Sequence, residues 1–163
     1  MDFKRTEAKI TIAKLIEHAL FSFVLSLAMS ITSCTTMHNS SSVLYQRFSQ
    51  YDKNANKNNI IEVASNFFSP SLLGKNYQTN PDATSQLLFK NYMVHTDSHY
   101  EEINGKKGCL TINGYDEENS PLILSLKYIS SNGHWLIDKI HVVFVENEKG
   151  FANSAKCPSE YPN

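Results

Sequence analysis

Pro121-Leu122-Ile123-Leu124-Ser125-Leu126-Lys127-Tyr128-Ile129, then Ser131-Asn132-Gly133, then His134-Trp135-Leu136-Ile137-Asp138-Lys139-Ile140-His141-Val142-Val143-Phe144-Val145-Glu146 decide the fold of this chain. Leu122, Leu124, Leu126 and Tyr128 alternate, so they line one face of a strand. Ser131-Asn132-Gly133 reads as a turn. In the strand over 134–146, Trp135 and Ile137 share one parity, whereas Ile140, Val142 and Phe144 share the other. A change of face inside one strand is what a β-bulge produces, and the break predicts one near Asp138-Lys139.

Working back toward the N-terminus, residues 93–103 and 108–115 read as two more strands joined at Asn104-Gly105, a strong hairpin signal. Before Met93 the period is helical. Leu44, Phe48 and Tyr51 fall at i, i+4 and i+7, with Ser42 as the expected cap. Asn56-Lys57-Asn58-Asn59 breaks that helix, and Asn59 is the expected cap of a second, which ends at Ser69-Pro70 because the residue before proline avoids the α region. Leu72-Leu73-Gly74 reads as a short apolar turn. A third helix is expected from Pro81, capped by Asn80 and carrying Leu87, Leu88 and Tyr92. Helices followed by strands predict an α+β domain, about three N-terminal helices on a four-stranded antiparallel sheet.

The N-terminus has a different character. Lys4, Arg5, Lys9 and Lys14 precede an uncharged, mostly apolar run over residues 19–32, the order of a secretory signal. That run is too short for the ~20 apolar residues that a membrane span needs. Ile31-Thr32-Ser33-Cys34 resembles the bacterial lipobox. The resemblance implies diacylglycerol on Cys34, cleavage before it and acylation of the new N-terminus. Thr35 is not the Asp that would resemble an inner-membrane retention signal, so the outer membrane is the expected destination, with the domain facing the periplasm. The chain then divides into a signal peptide (1–33), a lipidated cysteine and polar tether (34–42), a domain (43–146) and a C-terminal tail (147–163). The alternatives are a membrane-spanning anchor or an ordinary signal peptide.

The whole chain has 15 basic and 16 acidic residues. Residues 1–33 hold the four basic ones above and Asp2, Glu7 and Glu17, which leaves 11 basic and 13 acidic and a net of −2 with His neutral. No basic stripe marks nucleic-acid binding, and no Gly-rich phosphate loop, His-Glu-x-x-His or Cys-x-x-Cys points to a cofactor or metal. With Cys34 lipidated, Cys109 and Cys157 remain as a disulfide pair in an oxidising compartment, or else as two unpaired thiols.

Two stretches resemble NTF2-like small lipoproteins. Asn58 to Leu73, with Ile61, Phe67-Phe68-Ser69-Pro70 and Leu72-Leu73, is similar to their helical half. Gly133-His134-Trp135-Leu136-Ile137-Asp138-Lys139-Ile140 is similar to the Gly-x-Trp-x-Ile-x-x-Ile strand that closes many such domains. The resemblance implies a cone of helices on a curved sheet with a pocket at its wide end, and a homodimer through the sheet. It does not choose between enzymes and binding domains.

The strongest polar constellation is His95, Asp97, His99 and Glu101. Strict alternation would put all four on one face, where they form a weak metal or acid–base candidate. The plain alternative is a solvated face, with Val94 and Tyr100 toward the core. Tyr92, Tyr100 and Trp135 are the candidate lining of an apolar pocket. His134 and His141 read as strand-end or exposed residues, and Phe67, Phe68, Leu72, Leu87, Leu88 and Phe89 as core. The leading expectation is a non-catalytic, lipid-anchored envelope protein that binds a partner protein or a small apolar ligand and needs no cofactor. The alternatives are a toxin-neutralising periplasmic immunity protein and an enzyme built on His95, Asp97 and His99.

Overall fold

The computed structural model describes residues 42–161. The expected signal peptide, the expected lipidation site at Cys34 and the expected tether up to residue 41 lie outside the described residues. Within them run α1 (Val43–Asn54), α2 (Ile60–Phe67), a one-turn α3 (Pro70–Leu73) and α4 (Ala83–Leu87). The strands β1 (His95–Asn104), β2 (Lys107–Tyr115), β3 (Pro121–Ser131) and β4 (His134–Phe144) follow. The strands form one antiparallel sheet in the order β1-β2-β3-β4, so the domain is α+β. Among the described residues no helix is long and apolar enough to cross a membrane.

Helix α1 buries its predicted stripe, and α2 buries an apolar face of its own. Leu44, Phe48 and Tyr51 of α1 and Ile60, Ala64 and Phe67 of α2 are buried. They meet Leu110, Ile112, Leu122, Leu124, Leu126, Tyr128 and Ile137 on one face of the sheet. Tyr51 is the centre of this packing. Its ring lies 5.3 Å from Phe89 and 5.3 Å from Phe68, and its hydroxyl donates to the Leu87 carbonyl at 2.5 Å. Burial pushes its pKa up. Gly108 lets α1 approach β2, since a Cβ there would stand 2.7 Å from Leu44 Cδ1.

The helix ends differ from the expected caps. Ser42 makes no capping bond to α1. Its hydroxyl donates to Glu101, and the same carboxylate accepts from the backbone N–H groups of Val43, Leu44 and Tyr45 at 2.8, 3.0 and 3.1 Å. A strand residue therefore caps the helix, placing negative charge at its positive end. Asn59 does not cap α2. It turns back, donating to the Asn54 carbonyl and accepting from Asn56 N–H, which satisfies the end of α1. The third expected helix is only the short α4, because Leu88 leaves helical geometry and a 3-10 turn follows at Phe89–Tyr92. Ser69 accepts from Leu72 N–H and starts α3, with Pro70 in its first turn.

The bulge predicted in β4 is present. The register slips opposite Lys127/Tyr128, so that Asp138 is the extra residue and Ile137 and Ile140 share the helix-facing side. Ser69 and Lys127 both donate to the Asp138 carboxylate at 2.9 Å. Burial works to raise its pKa, but these two bonds outweigh it and hold the group below its ordinary value. Asn132 and Gly133 both have positive φ, 51° and 80°, as a two-residue hairpin turn requires.

The C-terminal stretch is not a free tail. It crosses the face of the sheet opposite the helices. Asn113 donates to the Ala152 carbonyl and accepts from Ala152 N–H, at 2.8 and 3.1 Å. Thr111 makes the same reciprocal pair with Lys156, at 3.1 and 2.8 Å, and Ser125 adds a bond to the Lys156 carbonyl. Cys109 and Cys157 are at disulfide distance, with Cα atoms 5.0 Å apart. This strap occupies the middle of the surface through which a sheet-mediated dimer would pack.

Candidate functional site

The candidate site is a cleft of about 490 Å³ lined by Arg47, Ser65, Asn66, Phe67, Ser131, Asn132, His134 and Leu136. Three elements meet there. The first is α1, which supplies Arg47. The second is the end of α2, held against β4 by a parallel bridge between Phe68 and Ile137 and by a bond from Ser69 N–H to the Ile137 carbonyl at 2.8 Å. The third is the β3–β4 turn, whose two positive-φ residues bring Ser131 and His134 into register.

Arg47 is the chemical centre of the cleft. Its Nε–H donates to the Trp135 carbonyl at 3.0 Å and one Nη to Gln50 Oε1 at 2.9 Å. The other Nη donates to the Asn66 carbonyl, and the guanidinium lies 5.0 Å from the centre of the Phe67 ring. All three hydrogen-bond acceptors are neutral. Among the described residues the ion pairs are Lys90–Asp52 and Lys127–Asp138, so Arg47 has no carboxylate partner there. Desolvation lowers its pKa from the ordinary value, although an arginine still keeps its charge at any physiological pH. A second open cleft of about 440 Å³ has the opposite character, with Glu146 and Glu148 in its wall beside Tyr115. There Tyr115 donates to Glu148 at 2.7 Å, and that bond pushes its pKa up to about 12.

The polar constellation of β1 does not assemble. A second bulge lies between Thr96 and Ser98 and leaves Asp97 unpaired in the ladder. His99 and Glu101 pair with Ile112 and Leu110 and so face the helices, whereas His95 pairs with Tyr115 and faces the other way. Strict alternation therefore misplaces His95 relative to His99. Among the described residues no group of three His, Cys, Asp or Glu side chains is gathered for a metal ion. His99 stacks on Tyr45, with ring centres 3.7 Å apart and planes 4° apart, and Glu101 is the α1 cap. Val94 and Tyr100 are exposed rather than core-facing.

Tyr92, Tyr100 and Trp135 do not share a pocket either. Tyr92 is exposed at the end of the sheet where Tyr115 pairs with Pro121. Trp135 pairs with Ser130 at the opposite end and packs against the core. Tyr100 pairs with Thr111, so it faces the strap side. His141 lies against Tyr161 of the strap, 5.3 Å between ring centres.

Of the Arg47 cleft, sequence reasoning singled out Phe67 as core, Ser131-Asn132 as a turn and His134 as a strand-end or exposed residue, and none of them as part of a site. Yet one signal was there. Arg47 stands at i+3 of the stripe Leu44, Phe48, Tyr51, a position that a core-facing helix fills with an apolar residue. No family model, curated protein or solved structure matches this chain.

Proposed function

We propose that this chain is an exported lipoprotein, lipidated at Cys34 and held at the outer membrane. Its NTF2-like domain faces the periplasm and binds a partner protein without catalysing a reaction. The observation that carries the reading is the Cys109–Cys157 pair at disulfide distance. A bridge of this kind persists in an oxidising compartment, and it agrees with the export segment and the lipobox. The space between helices and sheet is packed with Tyr51, Phe68, Phe89 and their neighbours. The clefts described above are open surface features of mixed polarity, which favours a surface partner over an enclosed apolar ligand.

The anchoring is tested by growing cells with tritiated palmitate. The wild-type chain is expected to take up label and the Cys34→Ala chain none; label on the variant would refute the lipid anchor. Binding is tested by in-cell photocross-linking from position 66 or 134. A discrete cross-linked species that disappears in the Cys34→Ala strain is the expected outcome. Turnover of a hydrolase or isomerase substrate by the purified chain would overturn the non-catalytic reading.

A further inference from the structure

We infer that the Arg47 cleft is a carboxylate-binding site, which takes one planar monoanionic group from the partner or from a small acid. The inference rests on the binding-module reading and deepens it.

The first argument is the donor set. A guanidinium carries five N–H donors. Three are used on Trp135, Gln50 and Asn66. One N–H on each terminal nitrogen is left without a partner among the described residues. Ser65, Asn66, Ser131, Asn132 and His134 line the same cleft, and each carries a side-chain group able to donate a hydrogen bond. Among the described residues no acidic one is in the lining.

The second argument is rigidity. The three bonds and the Phe67 ring hold the guanidinium in place before any ligand arrives, so little side-chain freedom is lost on binding. A fixed guanidinium plane suits a planar carboxylate.

The third argument is charge. Among the described residues the lining holds one obligatory positive charge, that of Arg47, with no Lys or second Arg beside it to meet a phosphate dianion. One obligatory cation matches one carboxylate. The volume of about 490 Å³ is in the range of small-molecule sites.

The test uses the full chain, labelled with nitrogen-15 and purified in detergent. N-acetylglycine is titrated beside its neutral analogue N-acetylglycinamide and beside inorganic phosphate, and the backbone signals of Asn132, Gly133 and His134 are followed. N-acetylglycine is expected to give saturable shifts at these residues. The neutral analogue and phosphate should each bind at least about tenfold more weakly, the scale of one charge-assisted hydrogen bond. Arg47→Gln should weaken N-acetylglycine by about tenfold or more. Because Arg47 also ties α1 to α2 and β4, Asn132→Gly is the second variant. It keeps the positive φ, removes one donor and should weaken binding about threefold. No saturable shift, an equal response to the neutral analogue, tighter binding of phosphate, or unchanged affinity in Asn132→Gly would each overturn the site. Palmitate labelling at Cys34 is blind to all of these results, so the cleft can fail while the anchoring stands, and the reverse.

Discussion

The two faces of the sheet are sealed by different physics. On the helix side, Leu110, Ile112, Leu124, Leu126 and Tyr128 are buried under aromatic rings. That seal is a hydrophobic core, non-directional and proportional to the apolar area removed from water. On the strap side, the buried residues include Thr111, Asn113 and Ser125. Each is satisfied by the backbone of Ala152 or Lys156, and the Cys109–Cys157 pair at disulfide distance closes the arrangement. Alternate residues of the same strand β2 thus serve both. The contrast teaches that burial on the strap side depends on specific partners, whereas burial on the helix side depends on volume.

The predictions follow from that difference. The largest effect belongs to the helix side. Phe68→Ala removes a fully buried ring and should cost about 4 kcal/mol, the usual scale for such a cavity. Chemical denaturation would measure it, and a loss below about 1 kcal/mol would show that the core is not tightly packed. Next is the cysteine pair of the strap, as a bridge. Cys157→Ser opens a loop whose ends are 48 residues apart and should cost about 3 kcal/mol. Hydrogen exchange at Ala152 and Lys156 should rise far more than in α1 and α2; equal loosening of both faces would erase the distinction drawn here. Third, Asn113→Ala leaves the N–H and carbonyl of Ala152 without their partner and should cost about 2 kcal/mol, read from the same denaturation curves. The smallest effect is expected on the helix side, from a buried side-chain hydroxyl that has no partner among the described residues. The Tyr128 hydroxyl is buried without a hydrogen bond, and burial pushes its pKa up. Tyr128→Phe should therefore be neutral or stabilising by up to about 1 kcal/mol. A clear destabilisation would mean that this hydroxyl has a partner after all.

The same contrast explains what could be read in advance. Apolar periodicity records burial in a core, so the stripe of α1, the alternation in β3 and the bulge in β4 were all legible. The β4 bulge announced itself because apolar residues on both sides of it had to reach one face. The β1 bulge at Asp97 did not, because its neighbours are polar and no stripe is broken by the slip. Hence His95, Asp97, His99 and Glu101 looked like one face and are not. Thr111 and Asn113 gave no sign of the strap, because a polar residue has the same pattern whether water or a strap satisfies it. The Arg47 cleft was visible only as a cation in an apolar stripe, since its other walls come from residues 65–67 and 131–136.

By itself, the sequence determined the order of helices and strands, the hairpin turns, the face that β3 gives to the core, the bulge in β4 and the two cysteines able to pair. Those features are local, or they follow from the period of the chain. Only the tertiary structure decided that Glu101 caps α1, that the stretch after β4 is a strap and that Arg47 lies in a cleft without a carboxylate. Each of these joins residues far apart in the chain through directional bonds. A hydrogen bond or an unmatched charge depends on what stands opposite it in space, and no periodicity records that.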